Sequence, residues 1–308
     1  MDWLHKITVT CFAASYAVAL VLEISRVFFH AHFRRAIRIG FMAAGLFAHI
    51  VYLVMQNRLE FNASGVWMGS WFGWCLAAAW LLGAAYFWIA FRQSQSVIGL
   101  FLLPLVLALI FVGYLFDDQA RFSTNEARSV WNMVHGCSLL LGTAVVALGF
   151  VFGIVYLIQS RRLKAKSIPS KFFRLPSLEW LQLNCERSLA VSVVMLGIGF
   201  ISGIAINLIN RPTDQETSSV GTIAWSDPVI WSSSLLFGWL LVSLILNRFY
   251  RPERQRRKVA YIVVTCALFL MLELGIVWWS GHATGDSVSG ILDGNSGIGV
   301  MMVLGGSQ

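Results

Sequence analysis

Eight apolar runs divide the chain, at 7–28, 39–56, 70–91, 97–116, 131–159, 188–209, 229–247 and 259–281. Each is close to the ~20 residues that a helix needs to cross the hydrocarbon of a bilayer. Most of the charges and polar clusters fall in the gaps between them. The pattern predicts an all-α fold: a polytopic membrane bundle of about eight transmembrane helices. The whole chain, 1–308, reads as a single membrane domain, with a four-span N-terminal portion at 1–116. The longest inter-span linker, 160–187, contains Ser177-Leu-Glu-Trp-Leu-Gln-Leu. That stretch predicts a short amphipathic helix on the membrane surface, with Ser177 as its N-cap. Asp227-Pro228 predicts the start of the seventh span, with Asp227 as N-cap and Pro228 at the first helical position.

Composition strengthens this picture. Hydrophobic residues make up 57% of the chain and charged ones 12%, against about 25% charged in soluble domains. The mean hydropathy is +0.71. A bilayer accommodates such a chain provided that each backbone polar group pairs within its own segment. The net charge of +8 raises the question of nucleic acid. The placement of the charge answers it with membrane topology instead, and no nucleic-acid partner is expected.

Of the 23 lysines and arginines, 18 fall in the regions after spans 1, 3, 5 and 7. The alternate regions carry only Lys6, Arg58, Arg121, Arg128 and Arg211. Basic loops stay on the cytoplasmic side, so both termini are expected outside. Nine of the 13 tryptophans (Trp3, Trp67, Trp71, Trp74, Trp131, Trp225, Trp231, Trp278 and Trp279) then fall on the outer side. An interfacial aromatic belt accounts for part of that bias. An aromatic surface for a flat apolar ligand is the other reading.

This sidedness sorts the histidines. His135 lies at the outer mouth of span 5 and His282 at that of span 8. Two neutral imidazoles at one depth suit axial ligation of a single iron; helix capping at the headgroups is the alternative. His135, Gly142, Gly149 and Gly153 share one helix face, and Gly199-Phe-Ile-Ser-Gly203 is a GxxxG pattern in span 6. Small residues in lipid serve close helix packing, or else leave a groove for a planar ligand beneath His135. His49 and Glu273 are ionisable groups within the hydrocarbon at similar depth, where each demands a partner. Their depth predicts a shared polar cavity. Glu23 has Arg26 one turn away. The five cysteines, Cys11, Cys75, Cys137, Cys185 and Cys266, form no CxxC pair and read as buried structural residues.

Several segments carry a family resemblance. They are His135-Gly-Cys-Ser-Leu-Leu-Leu-Gly, Tyr156-Leu-Ile-Gln-Ser-Arg-Arg-Leu-Lys-Ala-Lys, Leu175-Pro-Ser-Leu-Glu-Trp-Leu, the loop Trp225-Ser-Asp227-Pro, and His282 after the last span. Together they resemble the cytochrome c assembly proteins, haem-handling membrane proteins of CcsA, CcmC and HemX type, most clearly over 131–285. The resemblance implies a bundle that holds haem b non-covalently at the outer face of the bacterial inner (plasma) membrane, for attachment to apocytochrome c. His135 and His282 would be the axial ligands of the haem iron. Trp225, Asp227 and Trp231 would form the tryptophan-rich loop, the WWD motif, beneath the porphyrin. His49 looks like the intramembrane histidine of the CcsA branch and would serve a second haem site. Arg121, Arg128 and Arg211 are the outer cations suited to propionates.

Attachment requires partners, namely apocytochrome c and another cytochrome c biogenesis membrane subunit, so the chain alone is not expected to be an enzyme. The motif departs from the family pattern, because Ser226 separates Trp225 from Asp227. That departure leaves open a HemX-like regulator of haem synthesis. A transporter of another small substrate lacks a repeat signature here. An electron-transfer subunit would want two intramembrane histidines per haem.

Overall fold

Each apolar run contains a helix among its described residues. The computed structural model describes residues 8–25, 33–64, 70–93, 97–115, 130–165, 175–209, 228–249 and 256–279. Among these, the helices are α1 (Val9–Ser25), α2 (Arg34–Ser64), α3 (Trp71–Arg92), α4 (Gly99–Leu115), α5 (Val130–Lys164), α6 (Leu178–Ile209), α7 (Pro228–Phe249) and α8 (Arg256–Trp279). Helices α2, α3, α5, α6 and α8 are long and apolar enough to cross a membrane. Helices α1 and α4 are apolar but only 17 residues long, or about 26 Å. The apolar stretch of α7, Ile230–Leu246, is similarly short.

Two helix ends differ from the sequence reading. The segment expected to lie on the membrane surface is instead the opening of α6, which runs unbroken from Leu178. Ser177 still acts as its cap, its Oγ accepting from Trp180 N at 3.3 Å. Trp180 meets Phe152 of α5 edge-on, and Leu181 and Cys185 are buried. These side contacts hold the segment in line with α6. Helix α2 extends well beyond 39–56, because its polar ends find partners. Glu60 accepts from Gln56 Nε2 at 3.3 Å and from Ser70 Oγ at 3.2 Å. Ser70 in turn caps α3, its Oγ accepting from Gly73 N at 3.2 Å.

The helices form two sets of four. In the first, α1 packs on α2 and α4, and α3 packs on α2 and α4. In the second, α5 packs on α6 and α8, and α7 packs on α6 and α8. Contacts of α5 with α3 and α4 join the sets. The most extensive contact is between α5 and α6. A Cβ on Gly142 would lie 2.6 Å from Leu196 Cγ, and one on Gly199 would lie 2.7 Å from Leu139 Cδ2. The two backbones therefore approach as only glycine allows. Further along, the side chains of Ser188 and Val263 fill the space over Gly149, and Val264 and the Ala260 backbone fill that over Gly153. The glycine face of α5 is thus a packing surface, not an open groove.

Two of the five cysteines, Cys185 and Cys266, are buried; Cys11 and Cys137 lie on exposed helix faces. The buried reading therefore holds for Cys185 and Cys266 and not for Cys11 and Cys137, which face outward near the starts of α1 and α5.

A buried ion pair ties the first set together. Glu23 on α1 is 1% exposed and pairs with Arg38 on α2, which is 4% exposed. Tyr86 on α3 donates its hydroxyl to Glu23 Oε1 at 2.6 Å. The partner expected from spacing, Arg26, lies outside the described residues. Removing one member of a buried pair strands the other, at about 3–5 kcal/mol. Arg38→Met is expected to be destabilising by that amount, and adding Glu23→Gln is expected to recover most of it. Thermal unfolding in detergent checks this. Full stability of the single variant would remove the argument.

Candidate functional site

His135 stands near the start of α5, with its ring turned onto α6. Its Nδ1 lies 2.7 Å from the carbonyl oxygen of Gly199. A carbonyl can only accept, so Nδ1 carries the proton and the imidazole lone pair lies on Nε2. The α5–α6 register delivers the ring to this place. A Cβ on Gly203 would sit 2.9 Å from His135 Cε1 and 3.2 Å from Nδ1. The second glycine of the GxxxG pattern is therefore a notch for the histidine ring. The first glycine supplies the carbonyl that orients it. Ser202 Oγ lies 3.5 Å from Nδ1 and donates to the same carbonyl at 2.8 Å. On the α3 side, a Cβ on Gly136 would fall 2.5 Å from Trp74 Cη2. Trp74 thus packs on the α5 backbone beside His135.

The antiparallel contacts bring four helix ends together. Gly149 meets Val263, while Gly153 meets Ala260 and Val264, so α8 runs opposite to α5. Ser233 pairs with Glu273 and Trp239 with Phe269, so α7 runs opposite to α8. The start of α5, the end of α6, the start of α7 and the end of α8 share one end of the bundle. His135 is at that end, and so is Trp231, which is 68% exposed on α7. Trp225, Asp227 and His282 lie outside the described residues, as do Arg121, Arg128 and Arg211. In the chain, Asp227 directly precedes Pro228, the first residue of α7, and His282 comes three residues after the end of α8.

His49 and Glu273 do not share a cavity. His49 is fully buried in the first helix set, where its ring stacks on Phe12 with centroids 4.1 Å apart. Its Nδ1 lies 3.1 Å from the Tyr16 hydroxyl. Its Nε2 is enclosed without a hydrogen-bond partner. With the ring 0% exposed, any ligand at His49 would need the first helix set to open. Glu273 belongs to the second set, where Ser233 of α7 donates to its Oε1 and its Oε2 is enclosed without a hydrogen-bond partner. Counting along the helices placed the two residues on one level, but each is enclosed by different neighbours.

The cytochrome c assembly protein family matches the chain over residues 68–283. The chain belongs to that family. No curated protein matches it. As a cytochrome c assembly protein, it acts in cytochrome c biogenesis, and its long apolar helices make it an integral membrane protein. The matched segment holds α3 to α8 with His135, Trp225, Asp227, Trp231 and His282. His49 and its partners Phe12 and Tyr16 precede it.

The sequence reading missed what Ser202 and the Gly199 carbonyl do for His135. The GxxxG spacing was visible, but the register that puts a histidine into it was not. Alanine at Gly203 is expected to press on the His135 ring, while at Gly238 a Cβ meets nothing within 4 Å. The helix-propensity gain of alanine, about 1 kcal/mol, is common to both changes. Gly203→Ala is therefore expected to be less stable than Gly238→Ala by about 1–3 kcal/mol, the usual scale for overpacking. Parallel thermal melts check the difference, and equal melting temperatures would show that the notch is slack.

Proposed function

We propose that this cytochrome c assembly protein binds haem b non-covalently at the outer membrane face and holds it for attachment to apocytochrome c. The observation that carries the reading is His135 itself. Histidines that ligate metals commonly donate their other ring N–H to a carbonyl or carboxylate, which fixes the tautomer and the ring plane. The bond from His135 Nδ1–H to the Gly199 carbonyl has that form. A neutral imidazole held this way would suit iron ligation through Nε2.

His282 would hold the iron together with His135. Trp225 and Trp231 would wall the porphyrin, and Asp227 would shape the entry to α7. Arg121, Arg128 and Arg211 would meet the propionates. The bound haem would supply the vinyl groups for thioether formation. The chain's own residues would hold the iron, cover the ring and orient its edge. In this reading the chain is not an enzyme alone. It works with apocytochrome c and another biogenesis membrane subunit in the bacterial inner membrane. His49 serves the packing of α1 on α2 and α3.

The test is the visible spectrum of the detergent-purified protein supplied with haem. Wild type is expected to show a low-spin Soret band. His135→Ala and His282→Ala are each expected to lose the low-spin character, and the double variant is expected to lose the band. Absence of a band in every preparation would overturn the reading. A band that survives loss of both histidines would move the site to His49.

A further inference from the structure

We propose that Ser202 is a positioning residue that tunes His135 through the carbonyl they share; the proposal rests on His135 being the iron ligand. The Gly199 oxygen takes two side-chain donors, His135 Nδ1–H at 2.7 Å and Ser202 Oγ–H at 2.8 Å. Both donors draw on the same acceptor density. The stronger the bond from Nδ1–H, the more imidazolate character His135 acquires and the more basic Nε2 becomes. Ser202 therefore limits the electron donation of His135 to iron. Its hydroxyl also lies 3.5 Å from Nδ1 itself.

The bond from Ser202 to a carbonyl three residues back is not unusual by itself. Helix α6 makes the same bond from Ser188 to Cys185 at 3.0 Å and from Ser192 to Leu189 at 2.9 Å. What distinguishes Ser202 is that its carbonyl also holds a histidine from another helix. Ser192 is equally enclosed, at 1% exposure against 2% for Ser202. It lies ten residues away, about 15 Å along the helix, and provides a matched control.

Two measurements on the full-length protein in detergent test the proposal. The first is a reductive titration of the haem-loaded protein. Ser202→Ala is expected to retain haem with a midpoint potential more negative than wild type, because a more basic imidazole favours ferric iron. Ser202→Thr, which keeps the hydroxyl, and Ser192→Ala are expected to hold the wild-type potential. The second uses haem-free protein labelled with ¹⁵N-histidine, with His135 identified by the signal lost in His135→Gln. Its Nδ1 resonance is expected to shift in Ser202→Ala and to stay in place in Ser192→Ala.

An unchanged potential and resonance in Ser202→Ala overturns the proposal, as does an equal change in Ser192→Ala. Loss of haem in Ser202→Ala with retention in Ser202→Thr supports a role for the hydroxyl, whereas loss in both assigns the effect to packing and overturns it. If wild type binds no haem, the haem reading falls and the nitrogen resonance alone decides the role of Ser202.

Discussion

The close antiparallel approach of α5 and α6 is the contact on which the rest of the structure depends. In a bilayer, lipid tails are as apolar as leucine, so helices associate through packing and hydrogen bonds and not through burial from water. Glycines at 142 and 199 remove the Cβ atoms that would hold the backbones apart, and Leu196 and Leu139 fill the space from the opposite helix. This interlock admits one register. Carried toward the start of α5, it seats His135 in the notch of Gly203 and against the Gly199 carbonyl. A packing constraint thus becomes a chemical one: the tautomer and ring plane of a histidine follow from the fit of two helices.

The polar groups buried elsewhere obey a second constraint. A charge or lone pair without water must be satisfied by whatever its own helix touches. Glu23 finds Arg38 and Tyr86, His49 finds Tyr16, and Glu273 finds Ser233. Each solution stays inside its own helix set, the first two in α1–α4 and the third in α5–α8. The Glu23 cluster clamps α1, α2 and α3 toward the end of the bundle away from His135, and the His49 cluster fills the space between α1 and α2. Trp74 then connects the first set to the second by packing on Gly136 beside His135. The first helix set therefore reaches the candidate site by bracing it.

Family membership and geometry meet at one end of the bundle. The matched segment supplies His135, the Trp225–Asp227 stretch that leads into α7, Trp231, and His282 after α8. Helix direction brings the start of α5, the start of α7 and the end of α8 to that same end. The interruption of the tryptophan motif by Ser226 leaves Trp231 as the described aromatic of the group, and it is exposed where α7 begins.

Much of the architecture was legible in the sequence, because bilayer thickness imposes a length on apolar runs and backbone pairing imposes the helix. The eight runs map one to one onto α1–α8, and the start of α7 was marked by Pro228. Position along each helix was legible too, since it follows from counting residues. Lateral neighbours were not, because a helix presents every azimuth and only tertiary packing selects one. That is why equal depth paired His49 with Glu273 in error, and why Arg38, fifteen residues along the chain on the next helix, was not visible as a partner of Glu23. It also explains how the Ser177–Leu183 segment, amphipathic in isolation, becomes the opening of α6 once Phe152 lies beside Trp180. His135 was recognisable from sequence as a histidine at a helix mouth. Its binding of Nδ1 to Gly199, the notch at Gly203 and the hydroxyl of Ser202 were decided only by the register between two helices, which no single segment contains.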